Sequence, residues 1–275
     1  MKKRLPTILL ILFFLAGLSL LLYPTISDYW NSLHQSKAIS HYVEAVANMD
    51  EEEYERIWNS AIEYNEKLYK NSSRHKMTEK DKKEYQSHLN IADNGIMGYI
   101  EIPSISCTLP IYHGTSDAVL QIAVGHIEGT SLPVGGKSSH CVLSGHLGLP
   151  SAKLFTNLDK LIEGDIFMLR VLDNTLTYEV DDIKIVEPHE VDGLDITYGK
   201  DYCTLVTCTP YGVNTHRLLV RGRRIENIEE ASTAHITSDA MQIEPVIIAP
   251  IVAVPIIIVL IIVVMSKDRR SRRRD

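Results

Sequence analysis

The 275-residue chain has only four cysteines, and none of them forms a Cys-x-x-Cys pair. That spacing is the usual base of a structural zinc site, so no metal centre is expected, and no organic cofactor is implied either. Internal repeats and low-complexity tracts are absent, which excludes a solenoid or a disordered tail protein. Basic charge is lacking through the middle of the chain. The two ends together carry +7 against a total of −7, so the middle carries about −14. Nucleic acid needs a basic face, and none is offered.

Charge of either sign is missing from Leu5 to Tyr23 and from Val246 to Met265. Each run has the roughly 20 apolar residues that a bilayer crossing requires. Met1-Lys2-Lys3-Arg4 precedes the first run, and an arginine-rich tail, Lys267 to Asp275, follows the second. Basic flanks stay on the cytoplasmic side, so both termini are expected inside and the middle of the chain outside, in contact with lipid at both ends. A cleaved signal peptide is the other reading of the first run. Its length, and the want of a small-x-small site after it, favour a retained anchor. Pro250 and Pro255 in the second run are compatible with a span.

Ser27 to Asn90 reads as helical. Asp50 with Glu51, Glu52 and Glu53 suits a helix start, and Ile57, Ala61, Tyr64 and Leu68 then recur at helical spacing as a core-facing stripe. Thr78-Glu79-Lys80-Asp81 suits a second start. From Asn94-Gly95 the pattern changes to short strands: 97–102, 106–112, 139–143, 165–171, 176–186, 202–208 and 217–223. Short helices are expected at 117–123 and 151–158, and 225–242 reads as a polar linker. Many short strands with regular breaks suggest a sandwich or a closed barrel, between which periodicity does not choose.

The most informative stretch is Thr204-Leu205-Val206-Thr207-Cys208, broken by Pro210, Gly212 and Asn214 and resumed at Arg217-Leu218-Leu219-Val220. If the two runs pair antiparallel, Cys208 and Arg217 face each other, about 5 Å apart at Cα. A guanidinium beside a thiol favours the nucleophilic thiolate. A buried strand cysteine and a surface arginine are the plainer reading of the same residues. Cys203 and Cys208, five apart on one strand, point to opposite faces and should not pair. Cys107 and Cys141 could pair only if their strands are neighbours.

Taken together, Thr204 to Cys208, the following Arg217, and Ser144-Gly145-His146-Leu147-Gly148-Leu149-Pro150 resemble the signature of sortases, the membrane-bound cysteine transpeptidases of Gram-positive bacteria. Gly98 to Pro103, Leu109 to Gly114 and Gly129 to Pro133 are similar to the pilin-polymerising class C. The resemblance runs from about Gly95 to Arg224 and implies an eight-stranded β-barrel with short helices. The whole chain then divides into an anchor (1–25), an extracellular helical region (26–93), the barrel (94–226), a linker (227–245), a second transmembrane helix (246–266) and a basic tail (267–275).

The resemblance also implies roles. Cys208 would attack the Thr–Gly carbonyl of an LPXTG-like signal, Arg217 would steady the oxyanion and His146 would carry the proton. Thr207 and the loop 187–200 would touch substrate. His216 is the alternative proton carrier, but strand alternation turns it away from Arg217's face. His113 and His126 receive no catalytic role. The acyl group would pass to a pilin lysine amine. Alternatives are attachment of single proteins to peptidoglycan, a cysteine hydrolase, and a non-catalytic pilin-binding membrane protein. The family's usual Asp-Pro-aromatic lid anchor has no counterpart, since Asp-Pro occurs nowhere in the chain. Residues 70–90 could still cover the site through His75 or Met77.

Overall fold

The computed structural model describes residues 5–91, 94–190 and 193–227. The expected second span, 246–266, and the basic tail lie outside them. The chain divides into two units, Met1–Ile26 with Glu230–Asp275, and Ser27–Glu229. Of the first, the described part is the beginning of helix α1 (Leu5–Ala47). From Ile11 this helix is long and apolar enough to cross a membrane, with a mean hydropathy of 1.7. It runs through Pro24 without a break.

The second unit carries the barrel. Eight strands close in the order β1-β2-β3-β4-β7-β8-β6-β5. They are β1 (Ile96–Ile102), β2 (Cys107–His113), β3 (Val124–His126), β4 (Ser139–Ser144), β5 (Ile166–Val171), β6 (Asn174–Val186), β7 (Asp201–Thr209) and β8 (His216–Arg224). The β2–β3 and β4–β7 pairs are parallel, and the others are antiparallel. Closure leaves no sheet edge unpaired, and it explains why the strands read as apolar runs. Inward residues such as Ile100, Leu143, Phe167, Tyr178, Leu205 and Val220 form one core, with the Phe167 and Tyr178 rings stacked at 5.5 Å.

The helical region belongs to that core. Helix α2 (Glu51–Lys70) starts at Asp50, whose side chain accepts the Glu53 N–H, and its stripe Ala61, Tyr64 and Leu68 is buried with Ile57 alongside. Helix α3 (Glu79–Ser87) opens with a full capping box between Thr78 and Asp81 and buries Tyr85. Tyr42, wholly buried near the end of α1, donates to the Met97 carbonyl and accepts the Leu172 N–H. One hydroxyl thus ties α1 to β1 and to the β5–β6 turn.

Two expectations need correction, and one open question is answered. The stretch 151–158 is not a helix but a set of turns, with a bridge between Leu149 and Ala152 and a 3-10 turn at Leu158–Lys160. The helix expected over 117–123 is one turn, α4 (Asp117–Leu120). Cys107 and Cys141 cannot pair, because β3 stands between their strands, and all four cysteines are free. The strand β3 itself was not expected. Three residues are too few to show alternation.

Burial depresses the pKa of His88, His113 and His140, desolvation being the leading cause at each. A histidine held neutral in the fold binds its proton more readily when unfolded, so stability rises with pH wherever the unfolded chain takes up more protons. The contribution is whole above the unfolded value of about 6.5 and is lost as pH falls from there toward the depressed folded values. The melting temperature of the full chain should therefore drop on going from neutral to mildly acidic pH. A melting temperature that held or rose across that window would contradict this placement of the three rings.

Candidate active site

Strands β7 and β8 bring the central pair together. Cys208 lies directly opposite Arg217, and Thr209 opposite His216. The intervening loop turns back through Gly212 and Asn214, both at positive φ, with the Val213 and Asn214 N–H groups donating to the Pro210 carbonyl. Arg217 Nη1 donates to the Asn214 and His216 carbonyls at 3.3 and 3.1 Å, which folds the guanidinium over its own loop. Cys208 and Arg217 are both half-buried. His216 takes the opposite face, with Nδ1 2.9 Å from the Thr215 hydroxyl and Nε2 3.6 Å from Glu187.

His146 follows β4, the parallel neighbour of β7. The last ladder pair is Ser144 with Val206, and the Gly145 N–H continues it by donating to the Val206 carbonyl at 3.0 Å. His146 therefore sits two residues beyond the ladder, in the loop that leaves β4 at the end where β7 carries Cys208. Thr207 is buried, and its hydroxyl donates to the Gly145 carbonyl at 2.8 Å. Its side chain therefore holds the His146 loop to β7.

The glycines of this loop have steric reasons. A Cβ at Gly145 would stand 2.7 Å from the Phe155 ring. Gly148 has φ +76° and is covered by the exposed ring of Tyr211, which leaves no room for a side chain. Thr156 Oγ1 accepts the Gly148 N–H at 3.2 Å, and the Phe155 N–H donates to the His146 carbonyl at 3.2 Å. The stretch 151–158 is thus a buttress under His146. Tyr211 was not singled out from sequence, because its contact partner lies 63 positions away.

On the face that carries Cys208 and Arg217, a second apolar cluster has formed apart from the core. Val142, Val206 and Leu219 are its buried members, with Ile127, Val186 and Leu194 packed on them. Val206 and Leu219 are each two residues from the central pair, hence on the same face. The cluster makes an apolar patch beside the thiol, its three central members buried beneath the half-buried Ile127, Val186 and Leu194. Sequence could not separate it from the core, since β4, β7 and β8 are apolar on both faces.

The other cysteines are placed differently. Removal from water pushes the Cys107 thiol up to about 12. Cys141 and Cys203 face each other across the β4–β7 ladder inside the barrel, and burial raises Cys203 well above the ordinary thiol range. His126 is wholly buried, with its ring bonded to the Tyr85 hydroxyl at 2.9 Å and to the Ser131 carbonyl at 2.8 Å. His113 is fixed by the carbonyls of Gly95 and His88. Within 70–90, Met77 packs on the core and His75 lies 3.8 Å from Asp195. No group of three or more acidic, cysteine or histidine side chains suited to a metal ion occurs among the described residues.

A closed eight-stranded barrel with a strand-borne cysteine facing an arginine, and a histidine in the loop after the adjoining strand, defines a class of protein that comparison with known chains identifies. Residues 100–225 match the sortase domain family. The chain is 32% identical over 142 residues to sortase A of Streptococcus agalactiae, covering 50% of this chain and 56% of that one. It thus spans little more than half of that curated relative. The solved structure of sortase C1 from Streptococcus agalactiae is 54% identical with a TM-score of 0.68, covering 70% of this chain and all of the other. Sortase C from Clostridium perfringens, solved with the C-terminal cell wall sorting motif, is 46% identical with a TM-score of 0.62, again over 70% of this chain and all of the other. The chain belongs to the sortase family, and its structural relatives place it with the class C members.

Proposed function

We propose that this chain is a membrane-anchored cysteine transpeptidase that cleaves an LPXTG-like sorting signal and joins the released carbonyl to a pilin lysine. The observation that carries the reading is the direct opposition of Cys208 and Arg217 in the β7–β8 ladder, beside the strand that leads to His146.

The Cys208 thiolate adds to the carbonyl carbon of the signal's threonine. Arg217 offers fixed donors to the developing oxyanion, an arrangement worth roughly 3 kcal/mol per donor. The C–N bond breaks, and His146 gives its proton to the departing glycine amine. An incoming amine then attacks the thioester, its proton passes to His146, and the Cys208 thiolate leaves. The amide lost in the first half is regained in the second, so no external energy source is needed. The half-buried Ile127, Val186 and Leu194, which lie over this patch, suit the leucine and proline of the signal. The sorting motif seen with the Clostridium perfringens enzyme supports a substrate of this kind.

In this reading helix α1, long and apolar enough to cross a membrane, is the attachment, and the basic residues before it favour an N-terminus on the cytoplasmic side. A second span at 246–266 would hold the C-terminus at the same membrane, with the barrel outside.

Product analysis tests the transfer step. With an LPXTG-type peptide and a lysine-bearing pilin fragment, the ligated product should form at the expense of free threonine acid. Hydrolysis alone, unchanged by any amount of amine, would make the protein a cysteine hydrolase. Ligation to a peptidoglycan-type amine in preference to the pilin lysine would make it an anchoring enzyme.

A further inference from the structure

The loop between β6 and β7 brings Leu194 onto the apolar surface beside Cys208, and it is gripped at the next residue. His140, 1% exposed on β4, approaches the Asp195 carbonyl with Nδ1 at 3.0 Å and the Thr204 hydroxyl with Nε2 at 2.7 Å. A carbonyl only accepts, so Nδ1 carries the proton and Nε2 accepts from Thr204. The Asp195 carboxylate is taken from the other side by Arg74, whose Nη2 makes an ion pair with it. Arg74 is the more enclosed partner, 14% exposed at its side chain against 73% for Asp195. Its backbone is also fixed. The Arg74 carbonyl lies so close to Gly129 that a Cβ there would stand 2.6 Å from it, and Gly129 has φ +81°. The residues flanking Asp195 then part. Leu194 joins the cluster with Val142, Val206 and Leu219, and Ile196 packs on the barrel core.

We propose that Arg74, in the connection between α2 and α3, is a positioning residue for substrate binding: together with His140 it clamps Asp195 and so sets Leu194 on the apolar surface before the sorting signal arrives. This rests on the reading of function above. The connection 71–77 then acts as a brace on the substrate loop and not as a cover over Cys208. A loop already held in its bound form costs less to order on binding. Arg74 touches neither member of the Cys208–Arg217 pair in the ladder, so its loss should appear in KM and leave kcat unchanged.

The test uses the full chain in detergent micelles with an LPETG peptide. Arg74→Ala should raise KM about three- to fivefold, the range for a single partly exposed ion pair. Asp195→Asn should do the same, the double variant should be no worse than either single one, and Arg74→Lys should restore part of the loss. An unchanged KM, or a gain in activity from Arg74→Ala, would overturn the brace. Hydrogen exchange over 193–200 in the peptide-free full chain gives a readout that needs no substrate. Exchange should quicken in Arg74→Ala, and exchange equal to wild type would overturn the proposal. A wild-type chain that ignored the peptide while Arg74→Ala still quickened exchange would count against the transpeptidase reading and leave the brace standing.

Discussion

Replacing Cys208 by alanine should abolish turnover of a sorting-signal peptide, by roughly four orders of magnitude or more, while leaving the barrel folded. Loss of a covalent nucleophile removes the route that splits one difficult step into two. The side chain is half-buried near the end of β7, and its backbone partner across the ladder is unaffected by the change. A substitution of this size outside the core shifts stability by about 0.5 kcal/mol or less. Steady-state cleavage and a melting curve on the same sample check both halves. Retained cleavage would remove Cys208 from the chemistry. Cys107, Cys141 and Cys203 are poor substitutes, two being enclosed in the barrel and the third raised to about 12.

The second large effect is expected at Arg217. Lysine keeps the charge there but loses the planar fork of donors, and the two are not interchangeable where several fixed hydrogen bonds are needed. Arg217 also bonds the carbonyls of Asn214 and His216, which a lysine ammonium would satisfy in another geometry. Arg217→Lys should lower kcat by roughly 100- to 1000-fold, the loss measured when an oxyanion donor is removed, with a smaller change in KM. A variant within a few-fold of wild type in kcat would assign the arginine to folding the β7–β8 loop and leave the oxyanion to other donors.

How much of this could be read from residues alone differs from element to element. The β7–β8 hairpin was legible because its two apolar runs are separated by Pro210, Gly212 and Asn214, so the pairing of Cys208 with Arg217 follows from the turn. The α2 stripe was legible because Ile57, Ala61, Tyr64 and Leu68 repeat at a helical interval and Asp50 caps the start. The stretch 151–158 was misleading. Leu154, Phe155 and Leu158 are spaced as on a helix face, yet all three are buried as a turn whose bonds run to His146 and within itself. The apolar surface beside Cys208 stayed hidden, because a strand covered on both faces reads as one continuous apolar run. Contacts such as Tyr211 on Gly148, or Arg74 with Asp195, join residues far apart in sequence, and no local pattern announces them. The role proposed for His146 rests on the sortase resemblance, and the β4–β7 ladder fixes only the strand that leads to it, as far as Ser144 beside Val206.

The central claim is that a thioester forms on Cys208 and is passed to an amine. Intact-mass analysis of the full chain, mixed with an LPXTG-type peptide and then with a lysine-bearing acceptor, tests it most directly. The account predicts a mass gain equal to the peptide up to its threonine, located on the fragment that contains Cys208, and its loss when the acceptor is added. Cleavage of the peptide with no adduct at Cys208, or an adduct placed on another residue, would contradict it.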